Sequence, residues 1–326
     1  MTRRVGFRWT RAALGILAIL GAVGCGASDA GDGAGDGNGS ITPTNPTGPV
    51  TPLAPLPVAN WVEGVDGTMP LVVLAPHGGD LSPADLPDRS CAGCVTVNDA
   101  NTQALARTIS DAFAARVGRR PFLVINRLNR KKFDANRALP EATAGYPALE
   151  PMWTLFQATV DSAKARARRV HPRVLVIDLH GHAHAVQRLE LGYLLSASQL
   201  RLSDSALHPL VVGTSVGQLS LVSAVRDSGV LILRGPRALG SRFAALGFPA
   251  VPSAADRAPA VGEDYFDGGY NTARNGSALA GPVDAIQIEC NYTGVRDTAA
   301  SRAAFAEAFV TALLAYLQDH YGWVPV

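Results

Sequence analysis

The chain is poor in lysine, in aromatics and in charge. Three lysines stand against 26 arginines, charged residues make up 17% of the chain, and aromatics make up 6%. The formal charge is only +2, too small for a protein that binds nucleic acid by neutralising phosphates. Even that excess is local. Arg3, Arg4, Arg8 and Arg11 fall within the first 24 residues, which hold no acid, and the remainder carries 25 basic against 27 acidic residues. No internal repeat is visible, and no heptad or Gly-X-Y period runs through the chain, which excludes coiled-coil and collagen-like classes. What is present is apolar. Hydrophobic residues are 47% of the sequence, enough to build a core and too many for a disordered chain.

A long hydrophobic run is also missing. The apolar stretch at 12–23 (AALGILAILGAV) is too short to span a hydrocarbon core of about 30 Å as a mature helix. Preceded by arginines and followed by small residues, it reads as an export leader over residues 1–24. Ala22-Val23-Gly24-Cys25 resembles a bacterial lipoprotein processing site, which makes Cys25 the lipidated first residue of an exported protein. Such a protein is membrane-anchored, in the periplasm or at the cell surface. Residues 25–60 fit a tether: six glycines lie in 26–40 and six prolines in 41–60, flexible coil followed by a stiffer spacer. Export permits disulfides, and Cys91 and Cys94 are expected to form a small local one. Cys290 is expected to be buried and unpaired.

Residues 61–326 read as one α/β catalytic domain. Segments 71–75, 122–125, 174–178, 230–233 and 285–289 have the apolar, β-branched character of strands. Amphipathic helical stretches lie between them. One begins near Asp99 or Thr102, either able to cap it, and stops at Gly118. Others run over about 151–168 and 301–320. Alternation of this kind predicts a three-layer α/β/α fold around a central mixed, largely parallel sheet.

Sites in open α/β sheets form beyond the carboxyl ends of strands. Strand 71–75 runs into Pro76-His77-Gly78-Gly79-Asp80. Strand 174–178 runs into Leu179-His180-Gly181-His182-Ala183-His184, and the last strand ends in Glu289. His77, Asp80 and His180 form a plausible three-ligand set for Zn²⁺, with a fourth position left for water. His182 or His184 is an alternative to His180. Glu289 shares a strand face with Gln287, opposite two isoleucines, and suits the general base. Asp178 is expected to orient the ring of His180. Arg130 and Arg137, ahead of Arg127, are candidates to grip a substrate carboxylate with a guanidinium fork.

These motifs, PHGG at 76–79, DANR at 134–137, DLHG at 178–181, YFDGGY at 265–270 and QIE at 287–289, occur in an order that resembles the N-formylglutamate amidohydrolases. That family is related to the zinc carboxypeptidases and aspartoacylase-type deacylases. The resemblance covers most of residues 69–320. It implies one zinc ion held by His77, Asp80 and His180, and a catalytic Glu289. It also implies an Asn136-Arg137 pair on a substrate carboxylate and a substrate-side Tyr270. Three departures stand out: Asp80 where the carboxypeptidases have Glu, Asn275 where a histidine is usual, and the lipoprotein-like leader. The expected activity is hydrolysis of an amide bond in an N-acyl amino acid or small peptide that bears a carboxylate.

Two rival readings are weighed. Gly213-Thr214-Ser215-Val216-Gly217 fits the GxSxG elbow of a serine hydrolase, with Asp264 or Asp284 and His320 completing a triad; a helix start at 214–215 explains it equally well. A non-catalytic surface protein binding a carboxylate ligand on the same scaffold is the other.

Overall fold

The computed structural model describes residues 58–278 and 280–325. The expected leader, Cys25 and the tether up to residue 57 lie outside the described residues.

Seven strands form a single sheet: β1 (Val62–Val65), β2 (Leu71–Ala75), β3 (Phe122–Asn126), β4 (Val174–Gly181), β5 (Leu189–Gly192), β6 (Ala250–Val251) and β7 (Val283–Cys290). Their spatial order is β1-β3-β2-β4-β7-β5-β6. The run β3, β2, β4, β7 is parallel. β1 is antiparallel to β3, β5 is antiparallel to β7, and β6 runs parallel to β5. The sheet is therefore mixed and largely parallel, as the sequence pattern predicts.

All five residues of β2 and of β3 are buried, which is why these strands read as unbroken apolar runs. Helices α1 (Thr102–Val117) and α4 (Ala299–Tyr321) contribute Ile109, Phe113, Phe305 and Phe309 to the larger core, on one face of the sheet. Helix α2 (Glu150–Arg168) packs Met152, Phe156 and Val160 against the other face. A short helix, α3 (Tyr270–Asn275), precedes β7. α1 ends at Gly118 in the left-handed conformation, φ 65°, as expected. Its entry differs from expectation: Asn101 is the cap residue and no side chain caps the helix. The carboxylate of Asp99 is used elsewhere.

One expected strand is absent. Val230–Arg234 is a short helix after Gly229, burying Ile232 and Leu233 while Leu231 stays exposed. A four-residue apolar run has no period long enough to separate strand from helix. Cys91 and Cys94 are joined, and Cys290 is buried and free.

The pleat positions the chemistry. On β4 and β7, Leu175, Ile177, Leu179, Ile286, Ile288 and Cys290 face the larger core. Val174, Val176 and Ala285 face the α2 side. Side chains alternate along a strand, so Asp178, His180, Gln287 and Glu289 continue on the α2 side beyond the last apolar residues.

Candidate functional site

His77 and His180 meet at the carboxyl ends of β2 and β4, their ring centroids 4.7 Å apart and nearly perpendicular. Both are buried. Both aim Nδ1 at the same carboxylate oxygen. His180 Nδ1 lies 3.0 Å from Asp99 Oδ2, and His77 Nδ1 lies 3.5 Å from it. His77 Nδ1 is buried and makes no hydrogen bond. The three residues offer one donor atom each within 4.8 Å of one another.

The third member of this group is Asp99, a correction to the expected Asp80. Asp80 is exposed, and the residues that follow it turn away, with the amide of Leu81 donating to the carbonyl of Arg127. Gly78 and Gly79 explain the path. A Cβ on Gly78 would strike Thr102 and Gln103, and one on Gly79 would strike the backbone at 127–128. The chain leaves through this gap, makes a loop over 81–98, and returns when the amide of Asp99 donates to the carbonyl of His77 at 3.1 Å. The acid that groups with the two histidines is therefore not the one at HxxD spacing but Asp99, adjacent in space and 22 residues from His77 in sequence.

The far nitrogen of each ring lies near a carboxylate, hydrogen-bonded in His77 and at ion-pair distance only in His180. His77 Nε2 donates to Asp134 Oδ1 at 2.6 Å, which leaves Nδ1 with its lone pair. His180 Nε2 lies 3.1 Å from Asp178 Oδ2, so Asp178 sits where the strand pattern predicts, beneath the ring it was expected to orient. Asp134 is itself held by Arg130 Nε at 2.9 Å and by the amide of Asn136 at 2.9 Å. Asp134 and Asp99 were not singled out from sequence. Asp134 lies inside the DANR motif; Asp99 was read only as a helix cap.

The residues expected to bind substrate are more occupied than anticipated. Asn136 places Nδ2 3.2 Å from His180 Nε2 and accepts the amide of Asn271 on Oδ1 at 2.7 Å. It braces the site. Arg130 is buried against Asp134. Arg137 remains at the rim, half-buried, with Nε donating to Glu141 at 2.8 Å. Its carbonyl accepts Trp153 Nε1 at 3.1 Å, and the Trp153 ring lies 6.4 Å from that of Tyr270. Arg137, Trp153 and Tyr270 thus share one side of the site.

Glu289 lies between two charged neighbours. It is the register partner of His180 on β4 and of Glu190 on β5. Directly paired residues project to one face, so His180, Glu289 and Glu190 form a row across three strands. Glu289 Oε1 accepts Gln287 Nε2 at 3.1 Å, while Oε2 is buried with no partner. Burial pushes its carboxyl up to about 8; Asp99 and Glu190 add to the rise, and His180 and Arg130 oppose it. Burial would lower His180, but Asp178, Asp99 and Glu289 outweigh it and hold the ring well above the usual imidazole range. Asp99 is depressed against its own burial by His77 and His180.

The GxSxG segment does not assemble a triad. Ser215 is buried and its Oγ has no partner. His320 instead pairs Nδ1 with Ser223 Oγ at 2.8 Å and donates Nε2 to the Arg237 carbonyl at 3.0 Å.

No protein-family profile and no curated protein matches the chain. Solved structures do. The fold is similar to that of an N-formylglutamate amidohydrolase from Ralstonia eutropha JMP134, with 14% identity, a TM-score of 0.48, and coverage of 78% of this chain and 96% of that one. It is similar also to a gene product of Agrobacterium tumefaciens, with 14% identity, a TM-score of 0.46, and coverage of 78% and 94%. A third is a zinc-free apo form of YNDL, with 16% identity, a TM-score of 0.31, and coverage of 80% and 92%.

The group His77, Asp99 and His180 suits a divalent cation by its own chemistry. Two imidazole nitrogens and a carboxylate oxygen are a donor set for zinc. Asp134 and Asp178 behind the rings supply the outer partners that fix ligating histidines.

Proposed function

We propose that the protein is a metal-dependent amidohydrolase acting on an N-acyl amino acid or small peptide that bears a carboxylate. The observation that carries this reading is the convergence of two histidine Nδ1 atoms on one oxygen of Asp99, one of them buried and unbonded. His77, Asp99 and His180 would hold the ion, with zinc the first choice. When bound there, a divalent cation polarises a carbonyl and acidifies water.

The chain's own residues supply the rest. Glu289 accepts a proton from the attacking water on its free Oε2 and delivers it to the departing nitrogen. Asp134 and Asp178 keep both imidazoles oriented. Arg137 binds the substrate carboxylate from the rim that it shares with Tyr270. The sequence resemblance to the N-formylglutamate amidohydrolases supports the amide as the bond cleaved. We retain export and lipid anchoring through Cys25 as part of the proposal, on the strength of the leader sequence.

The test is metal analysis of the purified full chain together with a panel of N-acyl amino acids and short peptides. One zinc per chain and chelator-sensitive hydrolysis are expected. A metal-free protein hydrolysing the same panel would overturn the reading. Bound metal with no turnover of any member would favour the non-catalytic binding protein.

A further inference from the structure

Arg296 carries a buried guanidinium that the proposed reaction does not use. The chain leaves β7 at Cys290 and turns through Gly294, in the left-handed region at φ 77°, before it reaches Arg296. Each of the three guanidinium nitrogens donates to a different carbonyl. Nε donates to Cys290 at 2.9 Å, Nη2 to His182 at 3.0 Å, and Nη1 to Ala100. The backbone carbonyl of Arg296 in turn accepts Asn101 Nδ2 at 2.9 Å. One residue thus grips the entry to α1 twice and the ends of β4 and β7 once each.

These carbonyls belong to the three segments that supply the site. Ala100 follows Asp99, Cys290 follows Glu289, and His182 lies two residues beyond His180. Gly181 explains how the guanidinium fits. Side chains alternate along a strand, so a side chain on Gly181 would point away from His180. A Cβ there would strike Cζ, Nε and Nη1 of Arg296. The amide of the same glycine donates to Asp99 Oδ2 at 3.1 Å. His182 is fixed as a strut: Nε2 donates to the Arg188 carbonyl at 2.8 Å, and Nδ1 accepts the amide of His184 at 3.1 Å.

Asp99 needs such a fastening. It stands on no strand, at the return of the 81–98 loop, and its amide reaches the sheet end only through the carbonyl of His77. Yet two imidazole nitrogens converge on one of its oxygens. A lysine ammonium is a compact point charge and does not span carbonyls on three segments, whereas the planar fork of a guanidinium does.

We propose that Arg296 is a positioning residue of the site: by tying together the carbonyls beside Asp99, Glu289 and His180, it sets the spacing between the metal-ligating group and the proton acceptor. What it positions rests on the hydrolase reading, but the test begins with the metal-free protein. The full chain, Arg296→Ala and Gly181→Ala are labelled with ¹⁵N-histidine and compared with and without guanidinium chloride, far below denaturing concentration. The signal of the His180 Nδ1–H that faces Asp99 is expected to shift or vanish in Arg296→Ala. Guanidinium ion, which refills the vacated fork, should restore it, and urea should not. Gly181→Ala keeps Arg296 but expels it from its carbonyls, so the same loss is expected without rescue. In both variants zinc affinity should fall about 10- to 100-fold by chelator competition, and kcat should fall with KM near that of the parent. A parent-like His180 signal and zinc affinity in either variant overturns the inference, as does a rise in KM alone or a loss in Arg296→Ala that guanidinium leaves unrestored. If Arg296→Ala does not fold, Gly181→Ala decides by the same signal; if neither folds, Arg296 serves the fold alone and the inference fails. A parent that binds no zinc or hydrolyses nothing sinks the hydrolase reading, while the metal-free His180 signal still decides the role of Arg296.

Discussion

Glu289 and Glu190 are direct partners across the antiparallel pair β7 and β5, two buried carboxyl groups on one face of the sheet. Burial pushes the Glu289 carboxyl up to about 8, with Asp99 and the facing Glu190 adding to the rise.

That arrangement has a measurable cost in the metal-free protein. A carboxyl with a folded value near 8 and an unfolded value near 4.3 stabilises the fold fully below the unfolded value, and this contribution is lost as pH rises through 8. Glu289→Gln stays neutral and escapes the loss. The Tm advantage of Glu289→Gln over the parent should grow by a few degrees between pH 5 and pH 8.5. A pH-independent difference would show that the carboxyl is not held protonated.

The same substitution tests the proton-transfer role. Glu289→Gln should retain zinc and lose roughly 10²- to 10⁴-fold in kcat, read by metal analysis and steady-state hydrolysis. Undiminished turnover would remove Glu289 from the chemistry.

Asp99 and Asp80 separate cleanly. Asp99→Asn should weaken zinc binding by two orders of magnitude or more, since one of the three proposed ligands is lost. Asp80→Asn, at an exposed position, should bind zinc as the parent does. Competition with a chromogenic chelator distinguishes the two, and the opposite order would restore Asp80 as the ligand.

Asp134→Asn and Asp178→Asn act one step further out. Each should lower zinc affinity about 10- to 100-fold without abolishing it. Affinity equal to the parent in both would mean that the rings are oriented by packing alone.

How much of this could be read beforehand follows from the physics of each element. β2, β3, β4 and β7 were legible because burial on both faces leaves an unmistakable apolar run, and His77, His180 and Glu289 were legible because they stand where those runs stop. β5 and β6 were not legible. They are four and two residues long, too short for a period. Glu190 was hidden with them, although it alternates with Leu189 and Leu191 on buried backbone. Asp99 was hidden for another reason: an acid just before an amphipathic helix looks like a cap, and only the return of the 81–98 loop shows that its carboxylate turns inward. Asn136 and Arg130 lie in the expected region, where Asn136 reaches His180 and Asn271 and Arg130 donates Nε to Asp134.

The direction of β5 has a consequence for change over time. Because this strand runs against β7, it starts at the end of the sheet where β4 finishes, and only residues 182–188 join the two. Buried His182 and Arg188 close that segment with a bond to each other, while Ala183, Ala185, Val186 and Gln187 are exposed. The segment behaves as a cassette clipped at its base. Its outward residues can be exchanged, or grafted from another sequence, to retailor the mouth beside Glu289 while the strands beneath keep their register.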